Sequence, residues 1–271
     1  MQEKKKSLAV IGVGNMATAI IKGIISSEID ISSFYLFDTN KEKYRSFTGD
    51  EFIYCDNISE AVENATCVLL SVKPQNYEQV LSDLSEISGY ENKLYISIAA
   101  GISVEAVNAK LIGASVVRVL PNVPMLIGQG VSVICENSTI SPEEFQLVCS
   151  IFKSSGSILI INEVEMNRII GVTSSSPAYV FKFIDSIYKG ALAQGVTDNG
   201  LLDTICDMVI GSALLLKQSD DTPQELIKKV ASKGGTTERA LATLDEYCFE
   251  DGIKKAMIAC TDRADELGNK K

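Results

Sequence analysis

Histidine is absent from the 271 residues. That excludes every histidine-based triad, every histidine general acid and every histidine-ligated metal site. Cysteine occurs seven times, at Cys55, Cys67, Cys135, Cys149, Cys206, Cys248 and Cys260, but the count is odd and no pair has CxxC spacing. A disulfide framework and a structural zinc are not expected, and no metal site is assigned. Thiols inside apolar runs read as small buried residues of a reducing cytoplasm. A basic surplus is also missing: 35 acids face 25 bases, for a formal charge of −10. A nucleic-acid partner would need a basic face to displace counterions, so none is expected. No apolar run approaches the roughly twenty residues of a membrane span. The short apolar stretch after Lys4, Lys5 and Lys6 lacks a clean cleavage site, so it does not read as a signal peptide. The expectation is a soluble, cytoplasmic protein with 46% apolar and 22% charged residues, large enough for one big domain or two modest ones.

The first part of the chain alternates between two periodicities. Ser7–Gly12, Phe34–Asp38, Cys67–Val72, Leu94–Ile98 and Ser115–Val119 read as buried strands rich in Val, Ile and Leu. Helical spacing separates them at 15–27, near 75–86 and near 103–109. Such alternation indicates a parallel sheet covered on both faces. Gly130–Cys135 and Ser157–Ile161 are late strands around a helix that starts near Ser141-Pro142; their pairing could run either way. After Asn162 the strand signals stop. Asn162 suits an N-cap, with Glu163 and Glu165 in the first turn. Leu201–Leu216 is apolar on most sides and is expected to be buried. Ile253, Met257, Cys260, Ala264 and Leu267 make one stripe on a last helix. The expected architecture is α/β: a Rossmann-like, doubly wound sheet over residues 1–162 and an all-helical domain over 163–271. An apolar helical domain of that size would be covered most economically by pairing between subunits.

Two segments carry chemistry. Gly12-Val13-Gly14-Asn15-Met16-Ala17 is GxGxxA between the first strand and the first helix. Gly12 permits the tight turn, Gly14 lets a pyrophosphate approach the backbone, and Asn15 and Met16 open the helix whose positive end receives it. Asp38 ends the second strand about twenty residues later, where an acid accepts from a ribose 2′-OH and favours NADH. The run Thr39, Asn40, Lys41, Lys43 and Arg45 could instead hold the 2′-phosphate of NADPH. Asp38 could also be a plain N-cap. The second segment is Ser232-Lys233-Gly234-Gly235-Thr236-Thr237. Two glycines before hydroxyls, opening a helix near 238–248, would present free backbone N–H groups as a carboxylate nest. A helix-entry turn capped by the threonines is the alternative.

Taken together these segments resemble the pyrroline-5-carboxylate reductase family. IGVGNMATAI, Asn57 before an acidic helix, SVKPQ (Ser71–Gln75), SIAAGIS (Ser97–Ser103), RVLPNVP (Arg118–Pro124), SPAYVF (Ser176–Phe181) and SKGGTTERAL (Ser232–Leu241) follow the family's order over nearly the whole chain. The resemblance implies reduction of L-1-pyrroline-5-carboxylate, a cyclic imine carboxylate, to L-proline by hydride from NADH or NADPH. It implies that Asn57, Val72, Lys73, Pro74, Ala99, Ala100 and Gly101 line the cofactor path, and that Asn122 positions the nicotinamide amide. Lys73 could also be read as a catalytic amine. On the substrate side it implies Ser175, Ser176, Asp220, Ser232, Gly234, Gly235 and Thr236, with Thr237 on the ring nitrogen. It also implies a homodimer that can assemble into rings. The chain departs from the family's glycine-rich pattern at Ser174 and Ser176, and Lys233 replaces a proline.

The remaining readings are a related imine reductase, a nucleotide-sensing regulator without turnover and a structural helical oligomer. A β-hydroxyacid dehydrogenase would need a lysine early in the helical domain, and none lies between Lys153 and Lys182.

Overall fold

The structure, a computed structural model, describes residues 6–136 and 139–268. Lys4, Lys5 and the Arg45 side chain, named above, lie outside the described residues. The described residues form two compact units. One holds the chain through Ser175 and again from Met257 on; the other is Ser176–Ala256.

In the first unit, eight strands among the described residues form one sheet in the order β3-β2-β1-β4-β5-β6-β7-β8. They are β1 (Lys6–Ile11), β2 (Ile31–Phe37), β3 (Phe52–Tyr54), β4 (Cys67–Leu70), β5 (Leu94–Ser97), β6 (Ser115–Leu120), β7 (Gly130–Cys135) and β8 (Gly156–Ile161). All neighbours are parallel except β6 and β7. The two late strands β7 and β8 therefore pair parallel, with α5 (Pro142–Lys153) as their crossover. Helix α5 starts where the sequence places it, at a capping box formed by Ser141 and Glu144. Strand β3 escapes the sequence reading because three residues carry no periodicity.

Helices α1 (Asn15–Ile25), α2 (Ile58–Glu63), α3 (Tyr77–Ser85) and α4 (Val104–Asn108) complete the alternation. Two apolar clusters result. One joins Ile20 and Ile24 of α1 and Phe152 of α5 to β1 and β2. The other joins Leu81 and Leu84 of α3 to Val68, Leu70 and Tyr95. Strands buried on both sides in this way explain the unbroken apolar runs in the sequence.

The compact units do not divide at residue 162. Helix α6 (Glu163–Ile169) and the end of the last helix, α11 (Phe249–Gly268), belong with the sheet. Met166, Ile170 and Ala264 are buried in a third cluster with Leu120, Val133 and Cys135. Asn162 stands at the N-cap of α6, but its side chain makes no capping bond.

The second unit contains α7 (Ser176–Ala193), α8 (Leu201–Gln218), α9 (Pro223–Val230) and α10 (Thr236–Glu246). Here one expectation is overturned. Helix α8 is not buried within the chain: Ile205 is its one buried residue, while Leu202, Met208, Ile210, Leu214 and Leu215 are exposed. Its packing against α7 leaves much of its apolar surface uncovered among the described residues. Ile253 of the α11 stripe is likewise exposed, whereas Ala264 is buried. No helix among the described residues is long and apolar enough to cross a membrane.

Candidate functional site

Because β1 to β6 run parallel, their C-terminal ends lie along one edge of the sheet. The glycine turn follows β1, Asp38 follows β2, Asn57 follows β3, Val72-Lys73-Pro74 follow β4, Ala99-Ala100-Gly101 follow β5, and Asn122 follows β6. The fold thus aligns every cofactor residue read from the sequence along one edge, the usual place for a ligand in an open α/β sheet.

The turn itself is tightly held. Gly12 donates its N–H to Phe37 O (2.8 Å), and its carbonyl accepts the Ser71 hydroxyl (2.5 Å). Its φ of +93° and a Cβ site 2.9 Å from Val72 Cγ1 exclude any other residue without strain. Beyond it, Gly14 stands at the N-cap of α1 with open space around its Cα. No side chain caps α1 and no acid occupies its first turn. Unsatisfied N–H groups at a helix start, beside a glycine that leaves room, are a seat for a pyrophosphate. Asn15 is exposed and Met16 half-buried there. A cavity of about 410 Å³ opens between Gly14, Asn15 and Thr18 on one side and Glu42, Lys43 and Ser46 on the other.

The sequence presents Asp38 and the basic run as alternatives; the structure pairs them. Asp38 is buried, and its Oδ2 accepts Val13 N–H (2.8 Å) and Lys43 Nζ (2.8 Å), while Oδ1 accepts Asn40 N–H (2.8 Å). Its backbone is clasped by the Tyr44 hydroxyl. Burial pushes the Asp38 carboxyl up, but the bonds from Lys43, Asn40 and Val13 outweigh it and hold the group below its ordinary range. It is an ionised brace on the glycine turn, neutralised by a neighbour that a short 3₁₀ helix, Lys41–Ser46, folds back onto it. Lys41 is engaged separately, with Asp56 (2.5 Å).

Other expected cofactor residues also prove to be braced. Asn57 caps α2 by accepting Glu60 N–H (2.8 Å). Asn122 is buried; its Nδ2 donates to Thr173 O (3.1 Å) and its Oδ1 accepts Val131 N–H (2.9 Å). It joins β6, β7 and the run that follows α6. Lys73 is exposed at the start of a 3₁₀ turn, with Pro74 next and Val72 half-buried before it. Sequence reading missed Tyr77, whose buried hydroxyl donates to Leu70 O (2.8 Å) and meets Ser97 Oγ (3.1 Å). It ties the ends of β4 and β5 together, and burial pushes its pKa up.

The run Thr173–Ser176 is unstrained. Among the described residues Cys248 is the one non-glycine with positive φ, so Ser174 and Ser176 occupy ordinary backbone. Ser174 Oγ reaches Pro121 O (3.4 Å), Ser175 Oγ meets Cys260 Sγ (3.1 Å), and Ser176 begins α7.

Asp220, Ser232, Gly234, Gly235, Thr236 and Thr237 lie in the second unit. Two N–H groups expected to be free are in use: Gly234 N–H donates to Glu238 Oε2 (2.7 Å) and Gly235 N–H to Ser232 O (2.9 Å). The reason is a helix-start bond between an acid and a residue four positions before it, a signal close to the capping box. The N–H groups of the first turn of α10 remain without a side-chain cap, and Gly235 stands at the N-cap. Thr237 is half-buried in that turn; Thr236, Ser232 and Asp220 are exposed. No group of three or more metal-binding side chains occurs among the described residues. The seven cysteines are free, and burial followed by the Glu163 carboxylate pushes the Cys135 thiol up to about 12.

Known proteins resemble this chain along almost its whole length. The family model described as pyrroline-5-carboxylate reductase dimerisation matches residues 163–267, and the model described as NADP oxidoreductase, coenzyme F420-dependent, matches residues 7–101. A pyrroline-5-carboxylate reductase of Haemophilus influenzae is 32% identical, with 97% of each chain covered. The crystal structure of Plasmodium falciparum pyrroline carboxylate reductase with NADP bound superposes with a TM-score of 0.88 at 25% identity, covering 97% of this chain and 98% of that one. The 1-pyrroline-5-carboxylate reductase of Streptococcus pyogenes gives 0.86 at 27% identity, covering 96% and 98%.

Proposed function

The chain belongs to the pyrroline-5-carboxylate reductase family, and from that premise we propose how its residues reduce L-1-pyrroline-5-carboxylate to L-proline with NADH or NADPH. The observation that supports this reading most directly is the likeness over 97% of the chain, which takes in both the glycine turn and Ser232–Thr237. The test is a spectrophotometric assay at about 340 nm, the absorbance of the reduced nicotinamide, with pyrroline-5-carboxylate and a panel of other cyclic imines. Preferred turnover of the carboxylated five-membered imine supports the reading. Cofactor binding without turnover of any imine favours the nucleotide-sensing regulator.

The chemistry suits a protein without histidine. Bound NADH or NADPH supplies the hydride. The C=N carbon gains that hydride, the ring nitrogen gains a proton, and the double bond becomes single. A protonated imine is already a strong acceptor, so the protein chiefly has to orient the two partners. Orientation of this kind supplies about 7–11 kcal/mol of a barrier. The uncapped start of α1 holds the pyrophosphate. Val72 to Pro74 and Ala99 to Gly101 shape the path along the sheet edge. The Thr237 hydroxyl holds the ring nitrogen and its proton. The carboxylate is received by the first-turn N–H groups of α10 at Thr236 and Thr237, with the Ser232 hydroxyl; Gly234 N–H joins when Glu238 yields it. Ser175, Ser176 and Asp220 complete the substrate side.

Lys43 makes the chain tolerant of the 2′-phosphate by neutralising Asp38. In Lys43→Ala the Asp38 carboxylate keeps its two backbone bonds but stands as a lone anion. We expect kcat/KM for NADPH to fall about tenfold relative to NADH, equivalent to about 1.4 kcal/mol. An unchanged ratio in steady-state assays would show that Lys43 plays no part in cofactor choice.

The exposed apolar face of α8 supports a homodimer built through the helical part, with further assembly into rings; patches of this kind mark association surfaces. Light scattering at micromolar concentration is expected to give a dimer or a multiple of it, and Leu215→Asp a smaller species. A wild-type monomer would remove the dimer. The free cysteines fit a reducing cytoplasm.

A further inference from the structure

A polar network that runs from a buried arginine out to the surface stands behind the expected nicotinamide turn, and the chemistry above does not use it. Arg118 on β6 is 2% exposed. Its Nη1 donates to Glu163 Oε1 (2.8 Å) and its Nη2 to Asn167 Oδ1 (2.5 Å), both on α6. Glu163 Oε2 accepts the Cys135 thiol (2.9 Å), and Oε1 also faces Val104 N–H (3.4 Å) at the start of α4, just after the Ala99–Gly101 turn. The other end of the Asn167 amide is committed as well: Nδ2 donates to Asp265 Oδ1 (2.6 Å) on α11. Asn167 therefore reads a cation on one side and an anion on the other, a task that its carboxamide performs in one orientation.

The neighbour of Asp265 explains why this matters. Ala264 is buried, and its carbonyl oxygen lies 2.6 Å from where a Cβ on Gly101 would be. A Cβ on Gly268 would lie 2.4 Å from Gly101 O. The end of α11 is thus set against the backbone of Gly101 with no room between them. Ala100 packs on the same cluster as Ala264 and Met166. Whatever fixes α11 at Asp265 also fixes the turn.

We infer that Asn167 is a positioning residue: it links the buried Arg118, and through it Glu163, to Asp265 and so holds α11 against the Ala99–Gly101 turn, which orients the nicotinamide ring. The inference rests on the proposed function for the ring's place, but the coupling it describes belongs to the protein alone. It makes a non-additive prediction. Asn167→Asp keeps the acceptor for Arg118 but sets one carboxylate against another at Asp265. Asp265→Asn alone retains an acceptor for Asn167 and should behave as wild type. The double variant restores the bond with donor and acceptor exchanged.

In N167D, kcat is expected to fall about tenfold, the scale of a slightly misplaced reacting pair, with unchanged NADPH affinity. D265N and N167D/D265N are expected to keep wild-type kcat. Amide exchange of residues 100–104, followed by mass spectrometry, should accelerate in N167D alone and recover in the double variant. Should N167D not fold, Asp265→Ala on the exposed surface removes the same link and should show the same two changes. Wild-type kcat in N167D, failure of the double variant to recover, or a loss of melting temperature with normal kcat per folded enzyme would each overturn the inference. If wild type itself does not turn over the imine, the functional reading fails, and the exchange data still decide the coupling.

Discussion

Thr237→Ala is expected to lower kcat by about a hundredfold, the lower end of what a positioned proton-transfer group contributes, while cofactor affinity stays as in wild type. The resemblance to the pyrroline-5-carboxylate reductases implies that the Thr237 hydroxyl meets the ring nitrogen, and a hydroxyl can do so in a chain without histidine. Thr237 stands in the first turn of α10, half-buried, at a helix start that no side chain caps. Removing its hydroxyl leaves the glycine turn, Asp38 and α1 untouched, so the loss falls on the chemical step. Thr237→Ser, which keeps the hydroxyl, should recover most of the rate. Stopped-flow single turnovers with separately measured NADPH binding check both halves. A kcat close to wild type in the alanine variant would remove Thr237 from the mechanism.

Gly101→Ala has the largest expected effect on stability and activity together. Gly101 has φ +82°, and its Cβ would meet Ala264 O at 2.6 Å and Leu267 Cβ at 3.0 Å. The left-handed conformation costs an L-residue roughly 1–2 kcal/mol. Overpacking against backbone that cannot withdraw typically costs about 1–3 kcal/mol more. The melting temperature should drop by roughly 5–10 °C, and kcat should fall because the turn and the end of α11 are forced apart. Gly113 provides the control. Its φ is +83° with nothing within 4 Å of the added carbon, so Gly113→Ala carries the conformational strain without the clash. Equal losses in the two variants would show that the contact with α11 contributes nothing.

Much of this was legible in the residues because the signals are local. Val, Ile and Leu runs alternating with helical spacing mark a sheet covered on both faces. GxGxxA places Gly12 and Gly14 between a strand and a helix. Ser141 and Glu144 announce their helix by a three-residue spacing. What escaped the sequence depends on separation or on other chains. Arg118 lies 45 positions before Glu163 and 49 before Asn167, and it meets them only once α6 is packed on the sheet. The Asp38–Lys43 pair requires the 3₁₀ turn that brings the lysine back. Antiparallel β7 breaks a pattern that the alternation alone would continue. Leu201–Leu216 looked like an interior helix because an apolar run usually signals burial, whereas one chain leaves that face open. Glu238 at Gly234 could have been found, since an acid shortly after a glycine-led helix start is a capping signal.

The central claim is hydride delivery to the imine carbon of pyrroline-5-carboxylate. Its most direct test is a reaction with NADPH deuterated at the transferable position of nicotinamide C4, with the product examined by mass spectrometry and NMR. The account predicts L-proline carrying one deuterium on the ring carbon that had been the imine carbon. Proline without the label, or labelled cofactor consumed without proline, would contradict it.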